Sequence, residues 1–250
     1  MPRTDYFKEK AMAKLNLNFK IIKKLENNYH EIDSLVTFLP SLYDILHVKK
    51  STKNQIKIIG PEAHHLKQTG GDTLVSNSIE KLSELLNLKI KLDILIEKNI
   101  PLNSGLGGGS ADAGAIIRLI IKIYKLKKKK IITALPELGS DVPVCFYSKT
   151  SHVSGVGEII KPIDLFKKKL WVLLIKPKTS YSTENIFSLF KGPFLKKSDF
   201  QYQFKNLLQD MNKNENALQK TVCKKDKKVK SVLDKLPNYN NLTKPRITGS

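Results

Sequence analysis

"IPLNSGLGGGSADAG", residues 100–114, sets four glycines among five positions between a strand-like apolar run and a new run of alanine and isoleucine. Upstream, "KLDILIEKNI" (91–100) alternates Leu92, Ile94 and Ile96 with polar neighbours, which is the period of a strand. Downstream, Ala111, Ala115, Ile116, Leu119, Ile120 and Ile123 fall on one helical stripe, so a helix is predicted to begin near Gly109 or Ser110. The order is strand, glycine loop, helix start. Unpaired backbone amides point outward at such a start, the helix dipole favours negative charge there, and glycine lets the backbone approach a ligand. A polyphosphate fits that arrangement.

Spacing narrows the kind of loop. A Walker A loop needs Lys and then Ser or Thr after its last glycine, and "GGGSAD" (107–112) has neither in place. A dinucleotide fingerprint starting at Gly105 needs Gly or Ala where Ser110 stands, and an acid about 20 residues on, where lysines stand. A glycine turn used only for tight packing remains open on this stretch alone, although four glycines cost backbone entropy that packing seldom requires.

The rest of the chain bounds the context. Its 250 residues, 40% hydrophobic, suffice for two domains of ordinary size. No run approaches the roughly 20 apolar residues of a membrane span. The longest, "LWVLLI" (170–175), stops at Lys176, and the N-terminal "MPRTDYFKEKAMAK" (1–14) has acidic residues and no apolar signal region. The chain therefore reads as a soluble cytoplasmic protein with no membrane partner. Cys145 and Cys223 are too few for a disulfide framework, and neither they nor the adjacent His64 and His65 complete a metal-ligand set, so no metal ligand is assigned.

A formal charge of +21 invites a nucleic-acid reading, but of the 44 basic residues only Arg3, Arg118 and Arg246 are arginine. Base readout favours the arginine fork, and single-strand binding favours aromatics interleaved with charge. The lysines instead spread along the chain, with clusters at 125–130 and 224–230 that read as solvated faces. No specific nucleic-acid partner is expected.

Other elements follow from the same periodicities. "KLNLNFKII" (14–22) reads as a strand, and "ENNYHEID" (26–33) interrupts it with turn chemistry. "SLVTFLPSLYDILHVKK" (34–50) reads as a strand that ends or bends at Pro40, followed by another around 44–48, and 54–59 as a further strand. Residues 72–88 carry Leu74, Ile79, Leu82, Leu85 and Leu86 at helical spacing, with Asp72 as the cap.

With these residues in view, "PLNSGLGGGSADAG" (101–114) resembles the second motif of the GHMP kinases, named for galacto-, homoserine, mevalonate and phosphomevalonate kinases. Its triple glycine followed by Ser-Ala-Asp resembles the branch acting on 4-diphosphocytidyl-2-C-methyl-D-erythritol. "AMAKLNLNFKI" (11–21), "NNYHEIDSLVTFL" (27–39), "LGSDVPVCF" (138–146), "SGVGEII" (154–160) and "YSTENIF" (181–187) resemble segments of that branch in the same order. The resemblance implies an α+β, two-domain GHMP kinase fold: an N-terminal domain like ribosomal protein S5 over 1–153, a C-terminal GHMP kinase domain over 154–250, and a cleft between them for the active site. "KPRITGS" (244–250) resembles only the beginning of the third motif, so the chain is expected to be a fragment or a truncated product with an incomplete second domain.

The implied reaction is phosphorylation of the 2-hydroxyl of that diphosphocytidyl alcohol by ATP, with Mg2+ bridging phosphate oxygens, in the non-mevalonate route to isoprenoid precursors. A kinase for an alcohol gains from a carboxylate that accepts the hydroxyl proton. Asp141, followed by Val-Pro and expected at the start of an extended segment, matches that base, with a turn or capping Asp as its plainer reading. Lys14, the only charge between Ala11 and Phe19, matches its partner; a surface lysine is the plainer reading. By the same resemblance Pro101, Gly105, Leu106, Gly107, Gly108, Gly109 and Ser110 bind ATP. Asn16, Tyr29, His30, Thr183 and Phe187 bind the cytidine diphosphate sugar alcohol, with Tyr29 offering a ring for stacking. Asp112 is read as favouring the helix dipole and not as a metal ligand. The enzyme is expected as a monomer or homodimer. The alternatives are another GHMP small-molecule kinase, of homoserine or mevalonate type, and a non-catalytic basic RNA-binding protein with an S5-like fold.

Overall fold

Two long strands lead the chain, β1 (Phe7–Lys24) and β2 (His30–Lys50). The turn between them uses Asn28 at φ 65°, a left-handed conformation that asparagine tolerates. From Ala13 to Ile21 every residue of β1 is buried, so Lys14, Asn16, Asn18 and Lys20 go inside with the apolar positions between them. Strand alternation alone does not announce this, because the polar face of β1 is covered as well.

A computed structural model of the protein describes residues 6–68, 72–164, 170–179, 181–197, 216–236 and 245–249. After β1 and β2 come β3 (Gln55–Ile59), α1 (Ala63–Gln68), α2 (Thr73–Leu86), β4 (Leu92–Glu97), α3 (Gly108–Tyr124), α4 (Lys128–Leu138) and α5 (Val142–Tyr147). Then follow β5 (Ser151–Gly155), β6 (Ile159–Pro162), α6 (Thr183–Ser188), α7 (Gln219–Lys225) and α8 (Lys227–Lys235). The fold is α+β, and the chain divides into two units.

The first unit comprises residues 1–14, 38–102 and 106–149. Here β3 runs parallel to β4, and β4 pairs antiparallel with residues 45–50 of β2. Leu92, Ile94 and Ile96 of β4 are fully buried, as their alternation requires. α3 packs against α2 and α5 and is more than amphipathic. From Ala111 to Ile123 only Arg118 and Lys122 escape full burial, so the single apolar stripe read from the sequence is part of an all-round core helix. Asp72 caps α2 by accepting from Val75 N at 3.2 Å, and Asn87 ends the helix in the left-handed conformation.

The second unit comprises residues 15–37, 103–105 and 150–250. In it residues 32–36 of β2 pair antiparallel with β5, and β5 with β6. Phe19, Ile21, Ile186, Phe190, Leu218, Val222 and Val229 form its core cluster. Leu170–Ile175, the longest apolar run, lies at the surface with Trp171 wholly exposed. The lysines at 125–130 and 224–230 are exposed, as solvated faces should be.

Two expectations are corrected. β2 does not end at Pro40: the strand runs through it, and Pro40 is exposed between the stretch paired with β5 and the stretch paired with β4, where no ladder bond to either strand needs its missing N–H. Asp141 does not start an extended segment but stands at the N-cap of α5, because Pro143 presets the helical φ of the first turn.

A close backbone approach in the first unit is at Gly114 of α3, where an added Cβ would meet the Cys145 carbonyl carbon at 2.7 Å and Phe146 N at 2.8 Å. Gly114→Ala is therefore expected to lower stability by about 1–3 kcal/mol in urea unfolding, through overpacking of α3 on α5. Unchanged stability would contradict this packing.

Candidate active site

The predicted glycine loop lies where strand and helix periodicity put it, and α3 begins at Gly108, one residue earlier than expected. Gly107 is the N-cap, at φ 65° and with no side-chain hydrogen bond to the helix start. The first intrahelical bond runs from Ala111 N to Gly107 O at 2.8 Å, so the amides of Gly108, Gly109 and Ser110 precede it. These three residues are half-buried, and the helix behind them is 17 residues long. The donor set suits phosphate oxygens. Packing also demands these glycines, since an added Cβ would crowd Lys14 at Gly107, Ile100 at Gly108 and Leu74 at Gly109, each within 3.2–3.3 Å. Leu106 is buried, while Pro101 is half-buried at the loop's start.

Lys14 is fastened to this loop twice. Its backbone N donates to Leu106 O at 2.8 Å, and its side chain lies along Gly107, where any Cβ would displace it. The ammonium then donates to Asp141 Oδ2 at 2.8 Å. The Lys14 side chain is 5% exposed and that of Asp141 42%, so the pair has a buried cation and a carboxylate open to solvent. Asp141 is held on α5, whose final turn is fixed by Arg118 of α3: the guanidinium donates to the Cys145 and Phe146 carbonyls at 2.9 and 3.0 Å and pairs with Glu9. Burial, and then Asp141, push the Cys145 thiol up, so it stays a neutral thiol beside this pair.

Behind the loop lies a cluster that the sequence reading missed. Lys98 is 1% exposed, and the carboxylates of Asp44, Asp72 and Asp112 surround its ammonium. Asp112 does more than favour a dipole: it is fully buried and hydrogen-bonded to Lys98. One signal was available. The alternation Leu92, Ile94, Ile96 continues onto position 98, which assigns a lysine to a buried face and demands a counter-charge.

In the second unit, Asn16 N donates to Thr248 Oγ1 at 3.0 Å and Asn16 Nδ2 to Ser34 Oγ at 2.9 Å, while Asn16 Oδ1 is buried without a donor among the described residues. Gly105 packs backbone to backbone on Thr248 and Gly249, where an added Cβ would collide with the Thr248 carbonyl oxygen. His30 and Phe187 come together with ring centroids 5.2 Å apart, and His30 also touches Phe190 edge to face. Burial, and then the charge of Lys24, hold the His30 imidazole below its ordinary range. Tyr29 is 60% exposed. Thr183, the first residue of α6, is exposed too, and the cap there is Ser182, which accepts from Asn185 N at 3.2 Å. Thus Lys14, Asp141 and Gly107–Ser110 gather in one unit, and His30 and Phe187 in the other.

Among the described residues no group of three or more His, Cys, Asp or Glu could hold a metal ion, and no helix is long and apolar enough to cross a membrane. His64 and His65 sit on α1 with ring centroids 6.0 Å apart.

Comparison with known proteins agrees with this geometry. Residues 73–149 match the GHMP kinases N terminal domain. The 4-diphosphocytidyl-2-C-methyl-D-erythritol kinase of Macrococcus caseolyticus is 34% identical over 182 residues, covering 72% of this chain and 63% of the relative. The kinase of the same name from Wolbachia sp. subsp. Brugia malayi is 30% identical over 246 residues, covering 96% of this chain and 85% of the relative. The chain thus spans less than two thirds of the first relative's length and most of the second's. Among solved structures, a 4-(cytidine 5'-diphospho)-2C-methyl-D-erythritol kinase superposes with a TM-score of 0.67 at 23% identity, covering 93% of this chain and 83% of that one. The mevalonate kinase of Methanococcus jannaschii superposes with a TM-score of 0.55 at 14% identity, over 100% of this chain and 89% of that one. The fold is that of the GHMP kinases, and the chain belongs to the 4-diphosphocytidyl-2-C-methyl-D-erythritol kinase branch of that family.

Proposed function

We propose that the chain phosphorylates the 2-hydroxyl of 4-diphosphocytidyl-2-C-methyl-D-erythritol with ATP, in the cytoplasm. The observation that carries this reading is the Lys14–Asp141 pair fastened beside an uncapped helix start. In it, the amides of Gly108, Gly109 and Ser110 bind phosphate oxygens of ATP, supported by the α3 dipole. Pro101, Gly105, Leu106 and Gly107 shape the loop that approaches them. Asp141, paired with Lys14, accepts the proton of the attacking hydroxyl as its oxygen forms a bond to the γ-phosphorus and ADP leaves. The Lys14 ammonium offsets charge on the attacking oxygen and the transferring group. Mg2+ would supply charge neutralisation on the nucleotide oxygens.

For the cytidine end, the reading assigns Tyr29 and Phe187 to stacking, and Asn16, His30 and Thr183 to hydrogen bonds. Asn16 Oδ1, buried and without a donor among the described residues, suits an amino or hydroxyl group of the substrate. A neutral His30 can donate from one ring nitrogen and accept at the other, which a nucleobase edge requires and an imidazolium could not offer. The assignment of residues 1–153 and 154–250 to N- and C-terminal domains belongs to the same proposal.

Two measurements test it. Asp141→Asn keeps the shape of the side chain and removes its basicity, so turnover with the diphosphocytidyl alcohol is expected to fall by about 10²- to 10⁴-fold with the protein still folded. Near-normal turnover in that variant would remove Asp141 from the chemistry. His30 is expected to titrate below the ordinary histidine range by NMR and to move back towards that range in Phe187→Ala, which admits water. An ordinary value in the parent protein would argue against a neutral His30 as a base-reading group.

A further inference from the structure

Asp112 sits in a crowded, buried charge cluster. Lys98 brings one positive charge into a site sealed from water, and three carboxylates face it from three other elements: Asp44 of β2, Asp72 at the N-cap of α2 and Asp112, the fifth residue of α3. The Lys98 ammonium lies 2.7 Å from Asp44 Oδ2 and 3.8 Å from Asp72 Oδ2, and donates a close hydrogen bond to Asp112 Oδ2. Cys145 of α5, whose thiol burial pushes up, is a further titratable group within electrostatic reach of Asp112. Like charges crowded in a buried site keep a proton among them.

The three acids are not equivalent. Asp44 Oδ1 accepts from Asn99 N at 2.5 Å and Ile100 N at 2.7 Å. Asp72 Oδ1 accepts from Val75 N at 3.2 Å, at the positive end of α2. Among the described residues no backbone amide donates to Asp112, and its Oδ1, like Asp44 Oδ2, is buried with no hydrogen-bond partner. An acid without backbone donors is the least able to stay ionised. Burial pushes Asp112 well above the usual carboxylate range, Asp44 and Asp72 add to it, and Lys98 opposes it. Burial disfavours the Lys98 ammonium, but Asp112, Asp44 and Asp72 outweigh that and hold it above its ordinary range.

The same groups hold both sides of the glycine loop. Asp44 takes the two amides that lead into Pro101. Lys98 ties the start of α3 to the end of β4 through Asp112, and its ammonium would lie 3.6 Å from a Cβ at Gly108. We propose that Asp112 carries a proton at neutral pH, and that this neutral acid is a positioning group that fixes the first turns of α3, and with them the glycine loop, for a nucleotide's phosphates. A second net negative charge behind an anion site would repel the polyphosphate, so the proton serves binding as well as packing. The inference rests on the reading of the loop as the nucleotide site. Its sign in pH follows from a raised folded-state pKa: the contribution to stability is complete below the ordinary carboxylate range and is lost as pH rises towards the folded-state value.

The test begins without any nucleotide. The infrared difference between the parent protein and Asp112→Asn at neutral pH is expected to show the carbonyl band of a protonated carboxylic acid; a carboxylate signal in its place overturns the proposal. A non-hydrolysable ATP analogue is then titrated into the parent, Asp112→Ala and Asp112→Asn. The Ala variant is expected to bind about tenfold more weakly, and the Asn variant, a neutral group of the same shape, to restore parental affinity. An Asn variant as weak as the Ala variant shows that a charged carboxylate is needed and contradicts the proposal. Should Asp112→Ala fail to fold, the infrared band and the Asn variant decide alone. A protein that shows the acid band yet binds the analogue in no form contradicts the nucleotide-site reading while supporting the protonated Asp112.

Discussion

The start of α3, capped by Gly107 with no side-chain hydrogen bond, leaves the amides of Gly108, Gly109 and Ser110 ahead of the first intrahelical bond, and Lys14, Asp141 and Arg118 are arranged around it. Lys14 of β1 lies in the space that a side chain at 107 would occupy. Its ammonium reaches Asp141, and Asp141 is where it is because α5 is held by Arg118 of the same α3. A substitution at one of these positions therefore propagates: a Cβ at Gly107 moves Lys14, and a lost Arg118 loosens the turn at the far end of α5. The glycines serve ligand approach and packing together, so their number has two physical causes.

Buried polar groups are the recurring material of both units. In the first, Lys98 and its three carboxylates replace apolar packing beneath the loop. Such a network contributes little net stability over a hydrophobic core of equal volume, but losing one partner costs about 3–5 kcal/mol, which makes its geometry unforgiving. In the second, Asn16, Asn18 and Ser34 satisfy one another: Ser34 Oγ donates to Asn18 O at 2.7 Å, and Asn18 Oδ1 accepts from Leu35 N at 2.7 Å. Only Asn16 Oδ1 is left over in this trio. Polar groups placed so rigidly suit recognition of a substrate that is itself mostly polar.

Much of this was legible in the residues. Strand alternation and helical spacing located β4 and α3, the cap at Asp72 was readable from its position before an apolar run, and the lone charge at Lys14 pointed to Asp141 through the family resemblance. What escaped was long-range. Asp44, Asp72 and Asp112 lie far from Lys98 in the chain, so nothing local names them as its partners, although the alternation along β4 already assigned position 98 to a buried face. Pro40 reads as the end or a bend of a strand, yet β2 passes through it where no ladder to β4 or β5 needs the amide that proline lacks. Asp141 was read as extended because valine and proline follow, yet proline is equally at home in the first turn of a helix, and the packing of α5 on α3 decided the matter.

The central claim is phosphoryl transfer to one particular alcohol. Phosphorus NMR of the chain with ATP, Mg2+ and 4-diphosphocytidyl-2-C-methyl-D-erythritol reads it directly, with homoserine and mevalonate in parallel tubes. The account predicts a new phosphomonoester resonance growing with ADP in the first tube alone. Growth of that signal with homoserine or mevalonate instead, or its absence from all three tubes while the ligands bind, would contradict it.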